Sequence, residues 1–306
     1  MKLKISEHFF SWDRPLIINI LNLTPDSFYD GGSHNNTDDV LRHCEKMLTE
    51  GADIIDIGAF SSRPGPGMEI ISAEEENQRL IPYLIEIKKR FPETIISIDT
   101  FRKEVAHNAL GNGADIINDI SGGIFDEEML PFIGENHIPY IMMHCGDKLE
   151  SLHTNHIKEN PCEIVKSFFE RQIEFLSQYG EQQVILDPGI CFNKSMKSNF
   201  ELLNNINEYR VNNLPVLIGI SRKSMIYKTL KTTPQEALNG TTVLNTIALI
   251  NGADILRVHD VKEAVEVVKL VKELRTKNQE LRVLKGLNKY RIRQRLISWE
   301  LLVFLN

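Results

Sequence analysis

Short apolar runs rich in Ile and Val recur at nearly regular intervals along this chain. There are eight: Leu16–Leu23, Asp53–Ala59, Ile95–Asp99, Asp115–Ile120, Tyr140–His144, Val184–Asp187, Val216–Ser221 and Ile255–Asp260. Continuous apolar runs, rather than strict alternation, suit parallel strands covered on both faces. The intervening segments have helical period. In Val40–Glu50 the apolar positions Val40, Leu41, Cys44, Met47 and Leu48 fall on one face. Leu80–Lys89, Val105–Leu110, Ile164–Leu176 and Ala264–Leu274 read the same way. Eight strands alternating with helices predict an α/β fold, a closed (β/α)8 TIM barrel, with an open doubly wound sheet as the alternative. Gly-Ala-Asp-Ile occurs at Gly51, Gly113 and Gly252, each time before an apolar run. The glycine is expected to end a helix in a left-handed cap, so the repeat is punctuation between units.

Composition removes other classes. With 42% hydrophobic and 25% charged residues in 306, the chain is neither disordered nor low-complexity. Its net charge is −7, unevenly spread. Residues 275–306 hold 8 Lys/Arg and 2 Asp/Glu, which leaves 27 basic against 40 acidic residues for the rest. We therefore expect a barrel over residues 1–275 and a basic extension, without a domain of its own, over 276–306. The acidic body argues against nucleic acid as a partner. For the tail, a nucleic-acid or membrane-surface module is the alternative to a plain terminal extension. Cys44, Cys145, Cys162 and Cys191 stand far apart without a CxxC pair, which suits a reducing compartment, and a cytoplasmic location is expected. The N-terminus lacks the pattern of a signal peptide, and no apolar run reaches 18 residues, so no membrane span is expected.

The informative residues close the runs. They are Asn22, then Ser61-Ser62-Arg63 after the second run, Asp99, Asn118-Asp119, His144, Asp187, Ser221-Arg222-Lys223, and Arg257, His259 and Asp260. In a parallel barrel the C-terminal strand ends converge on the face that holds the active site. Burying a polar group at every strand end costs free energy unless each finds a partner, so a functional mouth is expected. Asp99, Asn118 and Asp187 suit a flat heterocycle with several N–H donors. Arg63, Lys223, Arg257 and His259 suit a phosphate or diphosphate. Asn22 offers a neutral oxygen to a Mg²⁺ that keeps most of its waters. Two loops, Thr24–Gly32 with Asp26 and Phe28, and Ser61–Gly67 with Arg63, have the Pro/Gly punctuation of turns or of lids over the mouth.

These residues, in this order, resemble the dihydropteroate synthase family of pterin-binding barrels. The matching segments are INILNLTPDSFYDGG (18–32), GADIIDIGAFSSRPG (51–65), ISIDTFRKEVAHNAL with GADIINDISGG (96–123), ILDPGICFNKS (185–195), LIGISRKSMI (217–226) and GADILRVHDVKEA (252–264). The resemblance implies a transferase of folate biosynthesis. Such an enzyme joins 6-hydroxymethyl-7,8-dihydropterin diphosphate to 4-aminobenzoate, with Mg²⁺ as cofactor and a homodimeric assembly. By motif position, Asp99, Asn118, Asp187 and Lys223 would hold the pterin. Asn22, Ser62, Arg63, Arg257 and His259 would hold the diphosphate, with Asn22 on the metal. Phe28, Pro64, Phe192 and Ser221 would line the aminobenzoate pocket, where sulfonamides would compete. Asp99, Asp187, Lys223, Arg257 and His259 would carry catalysis.

The chain departs from the family's GxGFGK pattern. Cys191 and Asn193 replace glycines, so a shifted Phe192 is an expected consequence. That departure makes a non-catalytic pterin-binding paralogue the first alternative. A methyltetrahydrofolate-dependent methyltransferase is the second, although it has no use for the diphosphate set.

Overall fold

The computed structural model describes residues 3–5, 8–10, 14–23, 34–59, 71–146, 149, 152, 157 and 159–274. The loops 24–32 and 61–67, with Asp26, Phe28, Ser62, Arg63 and Pro64, lie outside these residues, as does the basic tail 276–306.

An antiparallel hairpin of β1 (Leu3–Ile5) and β2 (His8–Phe10) precedes the barrel. Eight parallel strands follow: β3 (Leu16–Asn22), β4 (Ile54–Gly58), β5 (Ile95–Asp99), β6 (Ile116–Asp119), β7 (Tyr140–Met143), β8 (Val184–Asp187), β9 (Leu217–Ile218) and β10 (Ile255–Val258). Their order is β8-β7-β6-β5-β4-β3-β10-β9. A parallel bridge between Leu186 and Val216 joins β8 to the start of β9 and closes the ring. The expected TIM barrel is therefore present, and the open sheet is excluded.

The helices are α1 (His34–Glu50), α2 (Ala73–Arg90), α3 (Lys103–Gly111), α4 (Met129–Glu135), α5 (Pro161–Ser177), α6 (Met196–Asn204), α7 (Ser224–Leu230), α8 (Leu238–Ile250) and α9 (261–274). Local chemistry explains their ends. Ser72 accepts the Glu75 N–H at the start of α2, whose first turn is acidic and last turn basic, as the helix dipole favours. Asn160 caps α5, with Pro161 in the first turn.

Alternation along the strands sorts the side chains into layers. Outward residues such as Ile17, Ile55, Ile96, Ile117, Leu186 and Leu256 pack against the helices in the main core. Inward residues near the N-terminal ends form a separate floor: Leu16, Ile18, Ile54, Ile95, Ile116, Ile141, Ile185, Leu217 and Ile255. Ile5 of the hairpin plugs this floor from below and is fully buried.

The Gly-Ala-Asp-Ile repeat does more than punctuate. Its glycines take positive φ as expected. Its aspartates repeat one clasp three times. Asp53 accepts the N–H of Ile17 and pairs with Arg14. Asp115 accepts from Ile96 and pairs with Lys88. Asp254 accepts from Val216 and pairs with Arg210. Each carboxylate thus satisfies a backbone donor on the neighbouring strand and is neutralised by a cation.

Candidate active site

The inward columns change character toward the C-terminal strand ends. Ile54 is followed two residues later by Asp56, Ile116 by Asn118, Ile185 by Asp187 and Ile255 by Arg257. On β5 the column runs Ile95, Ser97, Asp99. Asp99 stands in register with Asn118, and Asp187 with Met143.

At the centre, Arg257 reaches across the barrel. Its Nε donates to Asp56 at 2.7 Å, and its Nη2 donates to Asp99 at 2.7 Å. Asp56 also accepts the Asn118 amide at 3.0 Å. Arg257, expected in the diphosphate set, is thus also tied to Asp56 and to Asp99 of the heterocycle set. Burial works against its charge, yet the two carboxylates hold its pKa above the ordinary arginine value. Asp56 is fully buried, and its Oδ1 has no hydrogen-bond partner in the structure. Such an acceptor is costly unless something meets it. In the sequence Asp56 stands inside the second apolar run and carries no assigned role, because a single acid inside a strand reads as a capping or ladder residue.

Burial pushes the Asp99 carboxyl up to about 7, against the pull of Arg257 and with Asp56, Glu76 and Asp119 adding to the rise. Asp119, beside Asn118, turns away from the mouth. It accepts from Tyr140 Oη, from the Ser121 N–H and hydroxyl, and from the Gly123 N–H, and so shapes the turn after β6.

Opposite this network lie Asp187 and Lys223. Asp187 is buried at the end of β8 and accepts the Gly189 N–H at 2.8 Å. Burial raises its pKa, opposed by Lys223, the Gly189 N–H, Arg257 and Lys194. Lys223 donates to the Ile190 carbonyl at 2.8 Å, and its ammonium lies 4.7 Å from the centre of the Phe192 ring. Burial lowers its pKa, with Cys191 and Asp187 opposing. Ser221 meets the exposed His259 twice, accepting its N–H at 3.2 Å and lying 3.1 Å from Nδ1. Arg222, between Ser221 and Lys223, is committed elsewhere: it forms a two-pronged pair with Asp260. Asn22 ends β3 in register with Gly58, half-buried at the rim.

The altered GICFNK loop keeps the backbone that glycines would take. Cys191 has φ 69° and Asn193 φ 51°. The Cys191 N–H is held by Asn199 of α6 at 2.7 Å, and the Asn193 N–H by the Leu152 carbonyl at 2.6 Å. These contacts hold two non-glycine residues in the left-handed region and keep Phe192 beside Lys223. Cys145 is buried and Cys191 half-buried.

Lys194, which follows this loop and has no predicted role in the sequence, lies against it in the structure. It is buried, and its ammonium lies within 3.1 Å of His144 Nδ1, the His144 carbonyl and the Phe192 carbonyl. Burial lowers it to about 7, with Cys145, Asp187 and Cys191 opposing and Lys223 adding to the fall. Burial also takes His144 well below the usual histidine value, so its ring is neutral and Nδ1 can accept. The signal in the sequence was a lysine directly after a loop of functional residues, without a visible partner.

Among the described residues, no group of three His, Cys, Asp or Glu side chains gathers as a metal cluster. No helix among them is long and apolar enough to cross a membrane.

Comparison with known proteins agrees with this geometry. The pterin binding enzyme family matches residues 18–259. The dihydropteroate synthase of Escherichia coli K12 is 39% identical over 273 residues, covering 89% of this chain and 95% of that protein. That of Synechocystis is 38% identical, covering 89% and 94%. Among solved structures, the Yersinia pestis dihydropteroate synthase with a sulfonamide drug superposes with TM-score 0.81 at 35% identity, covering 90% of this chain and all of that one. The Xanthomonas albilineans enzyme with 4-aminobenzoic acid superposes with TM-score 0.79 at 30% identity, covering 90% and 98%. With its barrel, its strand-end polar set and these relatives, the chain belongs to the pterin-binding enzymes and, among them, to the dihydropteroate synthases.

Proposed function

We propose that this chain transfers the pterinylmethyl group of 6-hydroxymethyl-7,8-dihydropterin diphosphate to the amine of 4-aminobenzoate, giving 7,8-dihydropteroate and diphosphate. The observation that carries this reading is the Asp56–Arg257–Asp99 network with Asn118, buried at Asp56 and Asn118 and half-buried at Arg257 and Asp99, facing Asp187 and Lys223. Its acceptors match the N–H edge of a pterin. The orphaned Asp56 Oδ1 is of the kind a ligand or a bound water satisfies.

The residues divide the work. Asp99, Asn118, Asp187 and Lys223 hold the pterin. The methylene carbon loses diphosphate, and the arylamine nitrogen forms the new C–N bond and then gives up a proton. Asp99 and Asp187 stabilise positive charge that develops on the pterin during C–O cleavage. Arg63, Arg257 and His259, with Ser62, stabilise the departing diphosphate. Phe28, Pro64, Phe192 and Ser221 enclose the aminobenzoate. A sulfonamide would compete there, since the GICFNK loop keeps its shape.

Asn22 supplies one neutral amide oxygen, and the rim offers no cage of acidic ligands among the described residues. That fits Mg²⁺, which takes few protein ligands and completes its shell with water and phosphate oxygens. When bound it neutralises charge on the leaving diphosphate.

We also propose a homodimer through the late helices. Val243, Ile247 and Ile250 of α8 are 49%, 37% and 59% exposed, and Leu270 of α9 is 67% exposed. An apolar stripe of this kind on neighbouring helices favours burial against a second copy. Sedimentation of the full chain should report twice the monomer mass. The four free cysteines agree with a cytoplasmic location.

The test of activity is direct. The purified full chain, given both substrates, should release diphosphate only when Mg²⁺ is added. A folded chain that binds the pterin diphosphate yet releases nothing would leave the non-catalytic paralogue standing.

A further inference from the structure

The polar atoms around Lys194 have no part in the chemistry above, yet they join the two loops that frame the aminobenzoate side of the mouth. We propose that Lys194 is a positioning residue that fixes Phe192, and through it the aminobenzoate wall, to the end of β7. This inference rests on the reaction proposed above.

The geometry is that of a three-way tie. An ammonium has three N–H donors, and Lys194 has three acceptors within reach: His144 Nδ1 at 3.0 Å, the His144 carbonyl at 3.1 Å and the Phe192 carbonyl at 3.0 Å. Two of these acceptors belong to the β7 end and one to the loop after β8, so the lysine holds the two together. His144 is itself wedged by the Phe168 ring of α5, edge-on at 5.0 Å between centroids. The anchor point is therefore rigid.

Gly189 shows how tightly the loops are drawn together. A Cβ at this position would lie 1.9 Å from the His144 carbonyl oxygen, and its φ is +67°. Only glycine permits that approach. The same carbonyl accepts from Lys194. From this anchor the chain runs to Phe192, whose N–H returns to the Gly189 carbonyl at 3.0 Å and whose ring lies beside the Lys223 ammonium. Removing the ammonium of Lys194 takes a donor from the Phe192 carbonyl and from the His144 carbonyl together. The strand-end groups that hold the pterin, Asp99, Asn118 and Asp187, have no bond to it in the structure.

Lys194→Met keeps the length of the side chain and removes every donor. In this variant the KM for 4-aminobenzoate should rise about tenfold or more, as expected when a positioning contact near the reacting group is lost. The KM and calorimetric Kd for the pterin diphosphate should stay within about twofold. Hydrogen exchange at the amides of Phe192 and Asn193 should accelerate by about tenfold, while Ile185 and Leu186 in β8 keep their protection. Lys194→Gln, which retains two neutral donors, should fall between wild type and Lys194→Met, and it serves if the methionine variant does not fold. An unchanged aminobenzoate KM overturns the proposal. So does a parallel rise of both KM values with loss of protection in β8, which would mark Lys194 as a plain structural residue. If the wild-type chain releases no diphosphate, the reaction proposed above fails, while exchange at Phe192 and Asn193 still decides whether Lys194 ties the loop.

Discussion

The floor and the mouth of this barrel are built from the same eight inward columns, two to four residues apart, and they have opposite chemistry. The floor is aliphatic, and Ile5 seals it. The mouth sets three carboxylates, two of them buried, an amide, an arginine and a lysine against one another. The floor gains free energy by removing apolar surface from water. The mouth spends part of that gain on desolvating charges whose mutual pairing only partly compensates. A change on the floor should therefore move stability and spare catalysis, and a change at the mouth should act on catalysis first.

Arg257→Met attacks the mouth at its centre. Asp56 and Asp99 would be left facing each other without their cation, and breaking a buried pair in this way costs about 3–5 kcal/mol. Diphosphate release should fall by about 100- to 1,000-fold, the usual cost of one preorganised electrostatic group. Adding Asp56→Asn to this variant should return part of the stability in urea unfolding and none of the activity. If the double variant regained activity, Arg257 would be a structural counter-ion and the contrast between floor and mouth would collapse.

Ile141→Ala probes the other end. This residue is fully buried in the floor. Its truncation should cost about 2–5 kcal/mol, with kcat and both KM values unchanged at 25 °C. A drop in kcat in a protein that remains folded would show that floor packing sets mouth geometry.

How far this contrast could be read in advance depends on which physical rule sets each residue. The apolar runs and their polar ends follow from local periodicity, so the barrel and Asp99, Asn118, Asp187 and Lys223 were visible in one dimension. The partner of Arg257 was not. Asp56 lies 201 residues away, and only closure of the ring brings them together. Lys194 and His144 are 50 residues apart and meet for the same reason. The clasps made by Asp53, Asp115 and Asp254 were hidden inside a repeat whose glycines already had an explanation. Three-residue strands such as β1 and β2 carry too little pattern to register at all. Phe28, Ser62, Arg63 and Pro64 belong to the described family motifs but not to the described structure.

Acidity at Asp99 sharpens the comparison by giving stability and binding opposite signs. Its folded pKa of about 7 lies above the ordinary 3.8. The contribution of the protonated, half-buried carboxyl to stability is thus complete below about pH 4 and is lost as pH rises through 7. In the proposed reaction the pterin N–H donors meet Asp99 as an ionised carboxylate. Between pH 6 and 8 the ionised fraction rises about tenfold, and calorimetric affinity for the pterin should rise with it. Asp99→Asn should flatten that profile. An affinity independent of pH in the wild type would mean that Arg257 keeps Asp99 ionised throughout.

The smallest effect is expected at Cys191, where the chain departs from its relatives without departing in shape. The left-handed conformation at φ 69° costs a residue with a Cβ about 1–2 kcal/mol relative to the right-handed region. Glycine would relieve that strain but would also gain freedom in the unfolded chain, offsetting about 0.4–1 kcal/mol. Cys191→Gly should therefore change stability by no more than about 1 kcal/mol and leave the aminobenzoate KM within about twofold. The reason lies in what holds the loop. Asn199 grips the Cys191 N–H, Leu152 grips Asn193, and Lys194 grips the Phe192 carbonyl, all through backbone atoms that any residue supplies. A large loss of 4-aminobenzoate binding in Cys191→Gly would show instead that the thiol side chain, which lies 3.6 Å from the Ser224 hydroxyl, helps to set the loop.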